Sequence, residues 1–458
     1  MTYILLFLLS FGLCGLLVVT RNKHLRFSAR DHDHQTTQSA HKVPTPRIGG
    51  IGLGVTIAAA LLFATPDPLR FQMTLFAVSL FPVFVAGLAE DLGFDVKPST
   101  RLLAAVISSF VAIAFLQMWV PRFDIPGLDV LIAIAPIGIV FTAIATAGVS
   151  NAFNLIDGVN GLSALTGVAV TLGLSFIARQ AGDPQLAQAI LYILPALLGF
   201  LVFNYPFGKI FLGDAGAYIL GHVLAWLAVI LMVRVETVSP WAIILVFFWP
   251  ISDTVFAIYR RKRSGRPTDQ PDRLHFHQLV MRAIELCGIG RDSRQVSNPL
   301  TTFVLLPFLS APVVAGVVLW NKPGLAAFAV GVFATFMLAS YVLGVRIARR
   351  RPQFLRTLLL RFRILPDRPW PVFDASEPAK DFSKLSGIFM EDGLAVDVKI
   401  YKLTNQLGWH LETQDGSGRP VLWSKRFPTD LAAWRDFQRV VKMESMESLA
   451  GPMQSLNR

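Results

Sequence analysis

Eleven stretches of this chain, at about 3–20, 48–66, 71–89, 102–120, 128–149, 162–178, 186–203, 215–233, 240–258, 300–320 and 324–345, carry almost no charge. Each is close to the roughly 20 residues that cross a bilayer. In lipid a helix satisfies its own backbone N–H and C=O groups, whereas open strands cannot. The expected fold is therefore an all-α polytopic membrane protein with about 11 transmembrane helices, followed by a small C-terminal α+β soluble module. The first run is expected to remain as an anchor. Met1-Thr2-Tyr3 has no basic residue and no small-residue cleavage site follows the run, so it does not read as a removable signal.

Basic residues orient the chain. Arg21, Lys23, Arg26 and Arg30 follow the first run, which places the N-terminus outside. The loops expected inside (21–47, 90–101, 150–161, 204–214 and 259–299) hold 18 lysines and arginines. The opposite loops hold five: Arg70, Arg122, Arg179, Arg234 and Lys322. An odd number of spans leaves the C-terminus cytoplasmic. The net charge of +12 gathers in the inner loops, where it attracts anionic headgroups and phosphorylated substrates. The expected partners are membrane lipid and small anions, not nucleic acid. Cys14 and Cys287 offer neither a disulfide framework nor a zinc spacing.

Three parts are expected: a transmembrane core at 1–345, a basic amphipathic interfacial segment at 346–365, and a cytoplasmic module at 366–458. In the last, Val396, Val398 and Ile400 alternate with Asp397, Lys399 and Tyr401 as in a strand. Further strands are expected at 408–413 and 421–427. Thr429 is placed to cap a helix carrying Leu431, Trp434, Phe437 and Val441. The module has no catalytic signature.

Chemistry gathers in five motifs on the inner side. The island NAFNLIDGVNG at 151–161 sets Asn151, Asn154, Asp157 and Asn160 between two spans, with Gly158 and Gly161 bending the chain. An ionisable residue beside the bilayer usually marks a site; the plainer reading is a re-entrant turn whose amides satisfy loose backbone groups. GLAEDLGFD at 87–95 pairs Glu90 with Asp91, and Asp91 and Asp95 share a face if the helix continues. Such carboxylates bind Mg²⁺ or hold a base, or are simply solvated at the interface. GKIFLGDAG at 208–216 sets Asp214 between glycines, fit to approach a Mg²⁺-diphosphate, with Lys209 as a point charge for phosphate. HKVPTPRIGG at 41–50 brings His41 and a Gly-Gly step to the second span. PDRLHFH at 271–277 puts His275 and His277 on one side, if extended, beside Arg273. Five motifs on one face describe a site at the membrane edge, suited to phosphoryl transfer between a cytosolic nucleotide diphosphate and a lipid phosphate.

These motifs, in this order over roughly 40–345, resemble the polyprenyl-phosphate N-acetylhexosamine-1-phosphate transferases (glycosyltransferase family 4, the bacterial polysaccharide-initiating branch). Two departures stand out: Glu90-Asp91 replaces a common Asp-Asp pair, and Gln278 stands where a further histidine is frequent. The resemblance implies transfer of an N-acetylhexosamine 1-phosphate from a UDP-sugar to undecaprenyl phosphate, releasing UMP, with Mg²⁺ or Mn²⁺. The product would start an O-antigen or exopolysaccharide chain. It implies a multi-pass enzyme of the bacterial inner membrane, with its active site facing the cytoplasm, and is compatible with an oligomer. By the resemblance Asp214 and Asp157 are metal ligands, and Asp91, with Glu90 beside it, deprotonates or orients the lipid phosphate. Asn151, Asn154, Lys209, Arg273, His275, His277 and His41 bind substrate. The alternative, a secondary transporter or lipid flippase, calls for charged groups within the spans and helices broken at the midplane. The spans read as clean, with charge at one edge.

Overall fold

In the computed structural model, which describes residues 1–21, 45–263, 275–285, 294–350, 380–383, 385–391, 394–403, 408–414, 420–423 and 426–444, the apolar runs are helical. They are α1 (Thr2–Val19), α2 (Gly49–Ala59), α3 (Arg70–Val78), α4 (Leu80–Asp91), α5 (Pro98–Leu116), α6 (Leu128–Ile132), α7 (Ala135–Leu155) and α8 (Leu162–Gln180). There follow α9 (Pro184–Leu191), α10 (Ile193–Asn204), α11 (Gly213–Arg234), α12 (Pro240–Val246), α13 (Phe248–Arg263), α14 (Phe276–Ile284), α15 (Arg294–Val318) and α16 (Pro323–Arg350). Two compact units result, Met1–Arg368 and Pro369–Arg458. The segment expected to be interfacial lies, beyond Arg350, outside the described residues.

Nine helical segments among the described residues are long and apolar enough to cross a membrane, α3–α4 and α9–α10 each counting as one. The other two expected spans differ. The run at 48–66 is helical only over Gly49–Ala64, its last five residues as a π-helix. At about 1.5 Å per residue this gives roughly 24 Å, short of a hydrocarbon core of about 30 Å. The run at 240–258 is broken into α12 and α13, bent by 83°. Pro250 is the cause: it lacks an N–H, and its ring clashes with the carbonyl four residues back, at Val246, where α12 ends.

The first unit is built around α11, which is buried along nearly its whole length. Helices α2, α4, α7 and α8 pack on it, and small residues let them approach. A Cβ on Gly50 would overlap the backbone of Gly216; one on Gly87 would sit 2.5 Å from Ala215 Cα, and one on Gly221 2.6 Å from Ser150 Cα. Association in lipid rests on such close packing, since lipid tails remove any hydrophobic drive between helices. The outward side chains of α1 and α16, such as Ile4 and Phe328, are exposed and apolar, as a lipid-facing surface requires.

The second unit is a small antiparallel sheet and one helix. Strands β1 (Lys380–Phe382), β2 (Gly387–Glu391), β3 (Leu394–Leu403), β4 (Trp409–Gln414) and β5 (Pro420–Leu422) run in the order β1-β3-β4-β5, with β2 also paired to β3. The alternating Val396, Val398 and Ile400 face α17 (Asp430–Glu444), meeting Ala433, Phe437 and Val441 in one core. Thr429 Oγ1 accepts the Ala432 N–H at 3.1 Å and caps α17.

Candidate active site

The N-terminus of α11 is closed by a carboxylate from another helix. Gly213 has φ +72°, and a Cβ there would overlap the Arg47 carbonyl oxygen and the Asp91 carboxylate. The first N–H groups of a helix have no intrahelical partner. Here the Asp214 N–H donates to Asp91 Oδ1 at 2.8 Å and the Ala215 N–H to Oδ2 at 2.9 Å. Asp91, the last residue of α4, is buried. Both its oxygens are thus engaged in seating α11, and through it Asp214. The helix ends at Asp91, so Asp95 does not share its face: Asp95 is exposed, with φ +56°.

Asp214 in turn meets the island. Its Oδ1 accepts from Asn154 Nδ2 at 2.9 Å, and its Oδ2 is ion-paired with the Arg101 guanidinium in the first turn of α5. One turn along α11, the Tyr218 hydroxyl donates to Asn151 Oδ1 at 2.8 Å, and Ser150 Oγ donates to the Tyr218 carbonyl at 2.6 Å. The end of α7 is thereby fastened to the start of α11 by three side-chain hydrogen bonds. Asn160 locks the island's far end: its N–H donates to Asn298 Oδ1 (2.7 Å), its Nδ2 to the Pro206 carbonyl (2.9 Å), and its carbonyl accepts from Thr302 Oγ1 (2.6 Å). Asn160 thus clamps the turn.

Asp157 follows the end of α7 and is partly buried. Burial pushes its carboxyl up to about 7, with the positive charge of Arg47 pulling the other way. The next residue, Gly158, lies against the histidine motif: a Cβ there would be 2.5 Å from His277 Nε2. His277 is buried, and among the described residues neither of its ring nitrogens has a hydrogen-bond partner. Burial draws its pKa down to about 4, opposed by Asp253, so the ring is neutral over the physiological range. Of the motif, His275 is extended and the helix begins at Phe276. His275 precedes α14 and His277 lies in its first turn, yet the two rings stack with centroids 5.7 Å apart.

Other expected site residues stand elsewhere. Glu90 Oε2 accepts the Val96 N–H at 2.6 Å and shapes the turn after α4. Lys209 is exposed, its ammonium over the Phe207 ring at 5.7 Å. His41 and Arg273 lie outside the described residues.

Among the described residues no three His, Cys, Asp or Glu side chains cluster as metal ligands. Mg²⁺ does not require such a cluster, since it keeps several waters and binds one or two carboxylates together with substrate phosphates. The Asp214 carboxylate is neutralised by the Arg101 guanidinium, a place that a divalent ion would take over. With Asp157 and the Asn154 amide nearby in the chain, the donors fit a hard divalent ion.

A model of glycosyl transferase family 4 matches residues 73–232, from α3 to the last turn of α11. A probable undecaprenyl-phosphate N-acetylglucosaminyl 1-phosphate transferase of Bacillus subtilis (strain 168) is 30% identical over 254 residues, covering 54% of this chain and 69% of that protein. The chain belongs to glycosyl transferase family 4. It is an enzyme of the sugar-1-phosphate transferase class. Two further relatives are a decaprenyl-phosphate N-acetylglucosaminephosphotransferase of Mycolicibacterium smegmatis, 26% identical over 363 residues (72% of this chain, 84% of that protein), and an undecaprenyl-phosphate alpha-N-acetylglucosaminyl 1-phosphate transferase of Salmonella typhi, 28% identical over 299 (62% and 75%). The family 4 match contains Glu90, Asp91, Asn151, Asn154, Asp157, Lys209 and Asp214; the histidine motif lies beyond it.

Two ionisable residues in contact with these motifs carry no motif signal in the sequence. Arg101 reads there only as a topogenic charge. Asp253 sits inside the run 240–258, so the spans are not clean: it and His222, in the middle of α11, are both buried ionisable groups. A different signal was present, because an acid within an apolar run marks a site by default.

Proposed function

We propose that the chain transfers an N-acetylhexosamine 1-phosphate from a UDP-sugar to undecaprenyl phosphate at the cytoplasmic face of a bacterial inner membrane. UMP is released, and the lipid product starts a cell-surface polysaccharide of the O-antigen or exopolysaccharide type. The observation that carries this reading is the meeting of three separate motifs at the start of α11, where Asp91, Asn154 and Asp214 are joined by hydrogen bonds. The printed activities of the relatives support it, as does the gathering of basic residues in the inner loops.

In this reading an oxygen of the lipid phosphate attacks the sugar-bearing phosphorus of the donor. The bond from that phosphorus to the bridging oxygen breaks, and UMP leaves with that oxygen. Phosphoryl transfer of this kind depends chiefly on positioning and on neutralising charge. Arg101 offers a guanidinium to the phosphates once they reach Asp214. Asp91 holds α11 and Asp214 in place. Mg²⁺ or Mn²⁺ would be held by Asp214 and the ionised Asp157, and would neutralise charge on the donor diphosphate. The neutral His277 would donate to that diphosphate from beside Gly158, with the His275 ring stacked against it.

Incubating the purified protein with undecaprenyl phosphate and a panel of UDP-N-acetylhexosamines tests the reading. UMP and a lipid-linked sugar diphosphate should form in equal amounts with at least one donor. No lipid product from any donor, in protein shown to be folded, would overturn it.

A further inference from the structure

Asp253 stands on α13, just past the bend, and its side chain is almost wholly removed from solvent at 2% exposure. A lone acid so placed is costly unless hydrogen-bonded. Its bonds all go to one short segment. Oδ2 lies 2.9 Å from His275 Nδ1 and 4.0 Å from His277 Nδ1, and Oδ1 accepts the Phe276 N–H at 3.1 Å. One carboxylate therefore holds both the entry to α14 and the ring that precedes it. Trp249, one turn earlier on α13, meets the Phe276 ring edge-on at 5.5 Å, so the segment is clamped by an apolar contact as well.

A carboxylate on one nitrogen of an imidazole fixes which nitrogen carries the proton and where the ring points. With Nδ1–H directed at Asp253, His275 presents Nε2 away from the acid. His277, whose ring stacks on that of His275, is carried to Gly158 by the same turn. We infer that Asp253 is the positioning residue of the histidine pair: it sets the tautomer of His275 and seats the turn that brings His277 to the island. The role rests on the reading that this pair faces the donor diphosphate. Asp253 itself reaches no substrate. The bend at Pro250 is part of the device, since an unbroken span would carry the acid elsewhere.

Two measurements test this independently. Nitrogen NMR of ring-labelled histidine in the detergent-solubilised wild-type protein, with His275 identified by its loss in His275→Ala, should show a protonated Nδ1 at His275. A bare Nδ1 there would overturn the proposal without any change at Asp253, and the readout does not depend on turnover. In kinetics, Asp253→Asn keeps one acceptor but sets an amide N–H against one of the two donors. It should raise the donor KM by about 10-fold or more, by analogy with the loss seen when the outer partner of a metal-bound histidine is removed. The same substitution in a background with both His275→Ala and His277→Ala should add little. Full additivity of the losses there would mean Asp253 acts other than through the histidine pair. If no donor is turned over at all, the functional reading fails while the NMR result still decides the role of Asp253.

Discussion

The Asp91 carboxylate accepts the backbone N–H of Asp214 at 2.8 Å, tying two motifs 123 residues apart in sequence. An acid that the sequence suggests as a base or orienting group for the lipid phosphate thus also caps the helix carrying Asp214. Both its oxygens are used, and the negative charge complements the helix N-terminus. Removing it displaces Asp214 as well as Asp91.

Asp91→Asn is accordingly expected to cost far more activity than Glu90→Gln. The amide would turn an N–H toward one of two backbone donors, shifting the start of α11; misplacement of catalytic groups by about 1 Å costs roughly 10²-fold. Among the described residues Glu90 holds the Val96 N–H in the following turn. Rates of UMP release for the two folded variants check this, and equal, modest losses would contradict it.

Asp157 sets a pH dependence of stability. Its carboxyl is raised from 3.8 to about 7 on folding, so between those values the folded chain holds a proton that the unfolded chain has released. Stability then falls as pH rises across that window and stays at the lower level above it. Asp157→Asn should raise the melting temperature of the ligand-free protein near pH 8 by a few degrees, with a smaller gain toward about pH 5, while lowering activity. Thermal melts in detergent at both pH values give the answer. A destabilised variant near pH 8 would contradict the raised pKa.

Gly158→Ala should weaken donor affinity because the new methyl meets His277 Nε2. In a His277→Ala background the same change should cost much less, the ring being gone. Donor KM across the four proteins reads the coupling. An unchanged penalty in that background would separate the island from the histidine motif.

The second unit should be dispensable for chemistry. It closes its own core around Val398 and Phe437 and carries no catalytic motif. Protein ending at Arg368, the boundary between the units, should still turn over in membranes; a well-folded but inactive truncation would show that the second unit contributes to the site.

The helical membrane fold was legible because uncharged runs of spanning length have few other uses, and the strands at Val396–Ile400 because alternation is a local signal. The bend at Pro250 was less so, since an apolar run on both sides hides a break. Within the site, Asp214, Asn154 and Asp157 stood out as polar groups beside lipid. Their connections did not, because Asp91 to Asp214 and Gly158 to His277 are contacts between distant segments that no local pattern encodes. Arg101 was hidden by its second use as an orienting charge, and Asp253 by the apolar residues around it.

In the proposed reaction the donor's sugar-bearing phosphorus moves with the sugar. UDP-N-acetylglucosamine labelled at its β-phosphorus, given to the purified protein with undecaprenyl phosphate and Mg²⁺, tests it most directly. The label should appear in the lipid fraction, with unlabelled UMP released, and neither product should form with Asp214→Asn. Label remaining in a released nucleotide diphosphate, with sugar alone on the lipid, would contradict it.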